Sequence, residues 1–246
     1  MIKRLYLLFI ILFLCGAKLF AQHPPAWGGG ADQNDISFGF HFDYINSNYK
    51  IYKQPDWRKP YFYSETGKYL TDSLNSITSA GSPGFAVGFI VRYRITEHLE
   101  VRSTPLLSFA DRTITYKYAN PAQDVDKSVH ASQVEIPLLL KIKSDRIGDF
   151  RAYLLGGVKY SYGLSADKTN DDPNLSPLEK QVINKRGYAS YEAGIGCDIY
   201  FEYFKFSPEL KIANSFGNVL MPGTDPYSQP LQKLLLHSLV FTIYFE

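Results

Sequence analysis

Val134-Glu135-Ile136-Pro137-Leu138-Leu139-Leu140-Lys141-Ile142-Lys143, then Ser144-Asp145-Arg146-Ile147-Gly148-Asp149, then Phe150-Arg151-Ala152-Tyr153-Leu154-Leu155-Gly156-Gly157-Val158-Lys159-Tyr160-Ser161-Tyr162 is the stretch whose reading decides the fold. Split by parity, Val134, Ile136, Leu138, Leu140 and Ile142 fall on one face, and Glu135, Leu139, Lys141 and Lys143 on the other. The second half repeats the pattern, with Phe150, Ala152, Leu154, Gly156 and Val158 opposite Arg151, Tyr153, Leu155 and Lys159. A period of two with a short polar turn between is a hairpin, each strand apolar on one face and charged on the other. The direction of the charged face decides the class of protein.

Working outward, the same alternation recurs. Ile36 to Ile45 sets Phe38, Phe40, Phe42 and Tyr44 against Ser37, Gly39, His41 and Asp43; Gly84 to Ile95 sets Phe85, Val87, Phe89 and Val91 against Gly88, Arg92 and Arg94. Leu99–Tyr118 reads as one long strand with Pro105 at a kink or bulge. Tyr188 to Tyr203, Phe204 to Phe216 and Leu234 to Glu246 complete the series. The connections after the second, fourth and sixth strands are short. Those after the first (Asn46–Ser82), third (119–131), fifth (Ser165–Gly187) and seventh (Gly217–Lys233) are long.

Eight strands with alternating long and short connections fit an all-β, eight-stranded antiparallel up-and-down transmembrane barrel. Its short turns, and both ends of the chain, lie in the periplasm. A soluble barrel would put the same apolar faces inside. The membrane orientation is favoured because the apolar faces are nearly charge-free and Tyr44, Tyr93, Tyr160, Tyr162 and Phe201 sit near strand ends. In addition, Gly39, Gly84, Gly88, Gly157, Gly194 and Gly196 lie on the polar face, where a narrow lumen needs small residues.

The lumen is then expected to hold Arg92, Arg94, Arg102, Lys141, Arg151, Lys159 and Lys211 facing Asp43, Glu100, Glu135, Glu192, Asp198 and Glu209. Balanced charge in a narrow space predicts ion-pair networks and a plug rather than a pore. The periplasmic turn offers Lys143, Asp145 and Arg146 to a partner.

The leader fits this destination. Lys3 and Arg4 precede the apolar run Leu5 to Leu14, and small residues lead to Ala21, which reads as a signal peptide over 1–21. The run is short for a membrane anchor, and Leu12-Phe13-Leu14 before Cys15 is a poor lipoprotein site. Residues 22–35 form a Pro- and Gly-rich flexible segment, and 36–246 the barrel domain. After cleavage Cys197 is left without a disulfide partner. With a net charge of +2 there is no reason to expect nucleic acid, and 19 Tyr with 17 Phe suit an all-β chain.

No phosphate-binding loop, paired-cysteine metal site or nucleophile elbow is present, so no catalytic, cofactor or metal residues are assigned. His41 reads as a lumen hydrogen-bonder, and His130 and His237 have no recognisable acid or serine partner. Lys117 and Lys127 are placed to meet anionic lipopolysaccharide. A lipid A-modifying enzyme is the catalytic alternative, and an adhesin-like surface barrel the structural one.

Val134–Lys141 resembles the strand typical of the outer-membrane β-barrel family of Bacteroidetes-type bacteria. Lys143-Ser144-Asp145-Arg146, Arg151–Ser161, Phe38-Gly39-Phe40-His41 and Gly84–Gly88 resemble its PorT/SprT branch, over Ile36 to Glu246. The resemblance implies a non-enzymatic outer-membrane component of the type IX secretion and gliding-motility machinery, with other secretion proteins as partners. Asn46–Ser82 and Ser165–Gly187 are then the expected partner surfaces, because their exposed aromatics suit binding patches.

Overall fold

A computed structural model describes residues 32, 34–129, 131–164 and 175–246. The expected signal peptide, most of the 22–35 segment, His130 and part of the loop after the fifth barrel strand lie outside the described residues.

In chain order the strands are β1 (Ile36–Lys53), β2 (Phe62–Tyr63), β3 (Lys68–Tyr69), β4 (Leu74–Thr78), β5 (Ser82–Arg94), β6 (Leu99–Ser103), β7 (Leu106–Phe109), β8 (Arg112–Tyr118), β9 (Val125–Val129), β10 (Ser132–Lys143), β11 (Phe150–Gly163), β12 (Gly187–Tyr200), β13 (Lys205–Ser215) and β14 (Leu231–Phe245). The antiparallel sheet runs β1-β14-β13-β12-β11-β10, continues through β6 and β7 to β5, and closes by pairing β5 with β1. Because β6 and β7 occupy one position, the ring has eight strands and no free edge. For strands, only closure of this kind satisfies every backbone group in a bilayer.

Pro105 does not shift the ladder. On one side Val91↔Ser103 and Gly88↔Leu106 share a register, and on the other Leu138↔Ser103 and Glu135↔Leu106 do. The expected kink or bulge is a local interruption, where a residue without an N–H sits in an otherwise continuous strand.

The long strand expected over Leu99–Tyr118 ends its membrane course at Phe109. Beyond Ala110-Asp111, β8 and β9 form a hairpin that continues the β7–β10 pair in unchanged register, as Ser132↔Phe109 and Arg112↔Val129 show. β4 joins its other side to make a three-stranded sheet. β1 likewise runs on to Lys53 against β14, which begins at Leu231. Much of what reads as polar insertion at Asn46–Ser82 and 119–131 is therefore barrel wall, extended past the membrane.

The two tiers of this wall are polarised in opposite senses. In the lower tier Phe38, Phe40, Phe42, Phe85, Phe89, Leu138, Leu154 and Ile195 are exposed outside, while Arg92, Arg102, Lys141, Asp198 and Glu209 are buried inside. In the upper tier Asn46, Lys50 and Lys117 face out, and Tyr49, Leu74, Ile77, Ile114, Tyr116, Tyr118, Val219, Leu234 and Leu236 form an apolar core inside. A lower tier facing water would leave a very large apolar surface uncovered, so it is the membrane-spanning part. Aromatic pairs ring both of its edges: Phe85 with Phe109 and Tyr191 with Phe216 above, Phe201 with Phe204 and Phe40 with Phe245 below.

Two lumen glycines show how tight the interior is. A Cβ on Gly196 would lie 2.5 Å from the Tyr153 ring, its neighbour across the β11–β12 pair. One on Gly88 would lie 2.5 Å from His41 Nε2. Each glycine is the space its neighbour's ring occupies.

Candidate functional site

The lumen charges fall into three tiers. At the periplasmic end, where the short turns Ile95–His98, Ser144–Asp149 and Phe201–Phe204 lie, Arg92 contacts Glu100 (3.3 Å) and Glu246 (3.0 Å). Lys141 reaches both oxygens of Asp198 at 2.9 Å and Glu100 at 3.3 Å, and Lys205 contacts Glu246 at 2.9 Å. In the middle, Arg102 pairs with Glu209, which also accepts from Tyr153 (3.0 Å) and lies 3.4 Å from Lys211 Nζ. The Arg102 guanidinium lies over the Tyr244 ring at 4.7 Å and Lys141 Nζ over the Tyr153 ring at 3.7 Å, both within cation–π range. At the top, Lys159 Nζ is 2.7 Å from both Glu135 and Glu192.

Packing cations around Glu100, Glu135, Glu192, Asp198 and Glu209, with a tyrosine hydroxyl at Glu209, offsets the desolvation that an unpaired charge would suffer. The residual space among Asp43, Arg112, Glu135, Lys159, Glu192 and Lys211 is a cavity of about 20 Å³, room for roughly a single water. Above it sits the apolar core of the upper tier. The interior is thus filled by charge within the membrane and sealed by hydrophobic packing outside it.

Two of the expected site residues lie elsewhere. Arg94 is at the periplasmic lip rather than in the lumen: it donates to the Asp32 carbonyl (2.8 Å) and the Asp35 carboxylate (3.0 Å). Lys143 is buried and paired with Glu100 at 2.9 Å, because the odd-numbered residues of β10 point inward up to its last residue. It is therefore not part of an exposed turn surface. Asp145 and Arg146 are in the turn, where Asp145 meets His98 at 2.8 Å and Arg146 meets Asp149 at 3.1 Å.

Four further charges, Arg112, Lys205, Glu246 and Asp32, belong with the lumen and were not in the expected set. Lys205 and Glu246 carried the right parity but flank a turn and a strand end. Asp32 precedes β1 and enters the periplasmic mouth, 3.4 Å from both Arg92 and Lys205. No periodicity in the Pro- and Gly-rich segment could have signalled it.

Among the described residues the histidines show no hydrolytic arrangement. His41 Nδ1 bonds Asp43 at 2.8 Å, but its Nε2 faces the backbone at Gly88, where no nucleophile or substrate fits. His237 is on the outer surface, bonded to Asn214 at 2.6 Å. Lys127 is engaged by the Leu178 carbonyl (2.9 Å) and the Tyr227 ring (4.1 Å) rather than turned toward lipid; Lys117 is exposed. Among the described residues no cluster of His, Cys, Asp and Glu could hold a metal ion.

On the extracellular tier, Gln54, Trp57, Tyr61, Phe62, Pro226 and Pro230 line an open cleft of about 490 Å³. Gln54 N–H donates to the Pro230 carbonyl (3.0 Å) and Tyr61 to the Thr224 carbonyl (2.9 Å), which ties the first long connection to the last.

A family model described as outer membrane protein beta-barrel domain matches residues 20–221. No curated protein matches the chain. Among solved structures, outer membrane protein OprG from Pseudomonas aeruginosa is 13% identical with a TM-score of 0.44, over 91% of this chain and 97% of its own. Ail, the attachment invasion locus protein of Yersinia pestis, in complex with the heparin analogue sucrose octasulfate, is 13% identical with a TM-score of 0.37, over 86% and 99%. Neisserial surface protein A is 11% identical with a TM-score of 0.37, over 86% and 98%.

Proposed function

The chain belongs to the outer membrane protein β-barrel domain family, and we propose that from its place in the outer membrane it serves as a non-conducting, non-enzymatic component of the type IX secretion and gliding-motility machinery. The observation that carries the non-conducting part is the packed interior, with three tiers of ion pairs below an apolar core and a cavity of about 20 Å³ among Asp43, Lys159 and Lys211. A barrel filled in this way is an anchor that holds surfaces on both sides of the membrane. The secretion role itself rests on the PorT/SprT resemblance of Phe38–His41, Gly84–Gly88 and Arg151–Ser161.

In this reading the leader (1–21) is removed on export, residues 36–246 form the barrel domain, and other secretion proteins bind the exposed turns and connections. Lipopolysaccharide surrounds the upper tier, where Lys50 and Lys117 face outward. Deleting the gene and following secreted cargo tests it. Cargo retained in the periplasm, with export restored by the wild-type gene, is the expected result; normal export rejects the role.

The extracellular cleft between Trp57, Tyr61 and Pro226 favours a second reading, an adhesin-like surface barrel. In that case cleft substitutions reduce adhesion while export is intact.

A further inference from the structure

At the periplasmic mouth Arg94 pairs with Asp35 (3.0 Å), Lys143 with Glu100 (2.9 Å) and Arg146 with Asp149 (3.1 Å), and the loosest ion pair is that of Arg151 with Asp32. A cavity of about 290 Å³ opens there, lined by Arg94, Lys143, Arg146 and Arg151 against Asp32 and Glu97. Arg151 is nine-tenths buried in this wall. Its Nε donates to the Ser144 carbonyl at 2.6 Å and its Nη1 lies 3.8 Å from Asp32. Its Nη2 is buried with no hydrogen-bond partner.

An unsatisfied buried guanidinium N–H is costly, and a guanidinium is shaped to take a carboxylate in a two-pronged contact. The remaining cations are arranged around the same opening. Arg146 stacks on the Tyr200 ring at 3.9 Å, which holds its head at the rim, and Arg94 bridges to the segment carrying Asp32. The resident occupant indicates the chemistry. Asp32 is a peptide carboxylate that reaches Lys205, Arg92 and the Tyr200 hydroxyl.

We propose that the periplasmic mouth is a receptor site for an acidic peptide segment of a periplasmic protein, whose carboxylate binds Arg151 Nη2 with Arg94 and Arg146, beside or in place of Asp32. The site depends on the barrel's orientation in the outer membrane and not on the secretion role. Loss of binding and loss of export are therefore separate failures.

The test uses the full chain in detergent micelles and a fluorescent hexapeptide of alternating glycine and aspartate, followed by anisotropy. Binding that weakens with salt is expected, with no binding of the matching glycine–asparagine peptide. Arg151→Gln should weaken it about tenfold or more, the scale for truncating one partner of a buried charge pair. Asp32→Asn, which removes the internal competitor, should strengthen it. Arg146→Gln, at an exposed position, should weaken it while keeping the heat-modifiable gel migration of a folded barrel, so a folding defect at Arg151 leaves the test intact. At equal ionic strength sodium phosphate should displace the peptide no better than sodium acetate. Three results would each overturn the proposal: no binding to wild type or Asp32→Asn, equal binding of the asparagine peptide, or displacement by phosphate alone.

Discussion

Arg102 on β6 is ion-paired with Glu209 on β13, the strand that faces it directly across the barrel. The path around the ring passes β10, β11 and β12 in one direction and β5, β1 and β14 in the other, so each route takes four steps. A single pair therefore spans the full width of the lumen. Contacts of this kind explain why the interior is closed at mid-membrane depth, where an eight-stranded barrel has just enough room for its own side chains.

Breaking that pair from one side should be more damaging than removing it whole. Glu209→Leu leaves Arg102 charged and buried, and is expected to cost about 3–5 kcal/mol. The double substitution Arg102→Met with Glu209→Leu should recover most of this. Urea unfolding in lipid vesicles, run as a double-mutant cycle, measures the difference.

The position of the membrane follows from which outward residues tolerate charge. Leu154 is 59% exposed in the middle of the apolar band, and Asn48 lies outward above it on β1. Leu154→Arg should destabilise the folded barrel by about 2–4 kcal/mol and Asn48→Arg by about 0–1 kcal/mol. Equal effects in vesicle refolding would argue against the assigned band.

The upper tier should loosen separately from the barrel beneath it. Ile114 on β8 is fully buried in its apolar core. Ile114→Ala removes packing worth about 2–5 kcal/mol at a buried site. The expected result is faster proteolysis of the extracellular connections, with the membrane tier still migrating as a folded barrel on gels.

The Asp32 contact should survive mild acid. Burial raises its pKa, but the charges of Lys205, Lys143 and Arg92 and the Tyr200 hydrogen bond outweigh this and hold it well below the usual carboxylate range. A carboxylate depressed in the folded state contributes stability that is fully present above its unfolded pKa, about 3.9 for aspartate, and is lost as pH falls through the lower folded value. Protection of the segment around Asp32 from proteolysis should thus be the same at pH 7 and pH 4, and Asp32→Asn should abolish it at both.

Much of this architecture is legible in the sequence because the membrane imposes one rule on every strand. In Phe38–Tyr44, Phe85–Tyr93, Ile136–Ile142 and Leu154–Tyr160 the apolar parity is uninterrupted, and the alternation of short and long connections orders them. The wall extensions were hidden by the same rule. At Tyr44-Ile45 the apolar residues change sides, so Ile45, Tyr49 and Ile51 continue the parity of His41 and Asp43. A strand leaving lipid for water inverts its pattern, and the inversion imitates a strand end. Thr113–Tyr118 reads as strand within Leu99–Tyr118, but its buried residues belong to a soluble-type core above the membrane. Lumen charges on long strands, such as Lys141 and Glu209, could be placed by parity. Arg94 could not, because the lumen ends before β5 does. Asp32 depends on where an aperiodic segment folds back, which only tertiary structure specifies.

The central claim is that the barrel is closed along its length, and conductance tests it most directly. Purified full-length protein is reconstituted into a planar lipid bilayer under symmetric salt, and current is recorded across a range of voltages. The filled lumen and the apolar core above it predict no stable single-channel steps. Reproducible, long-lived steps of porin size from the folded wild-type barrel would contradict the account.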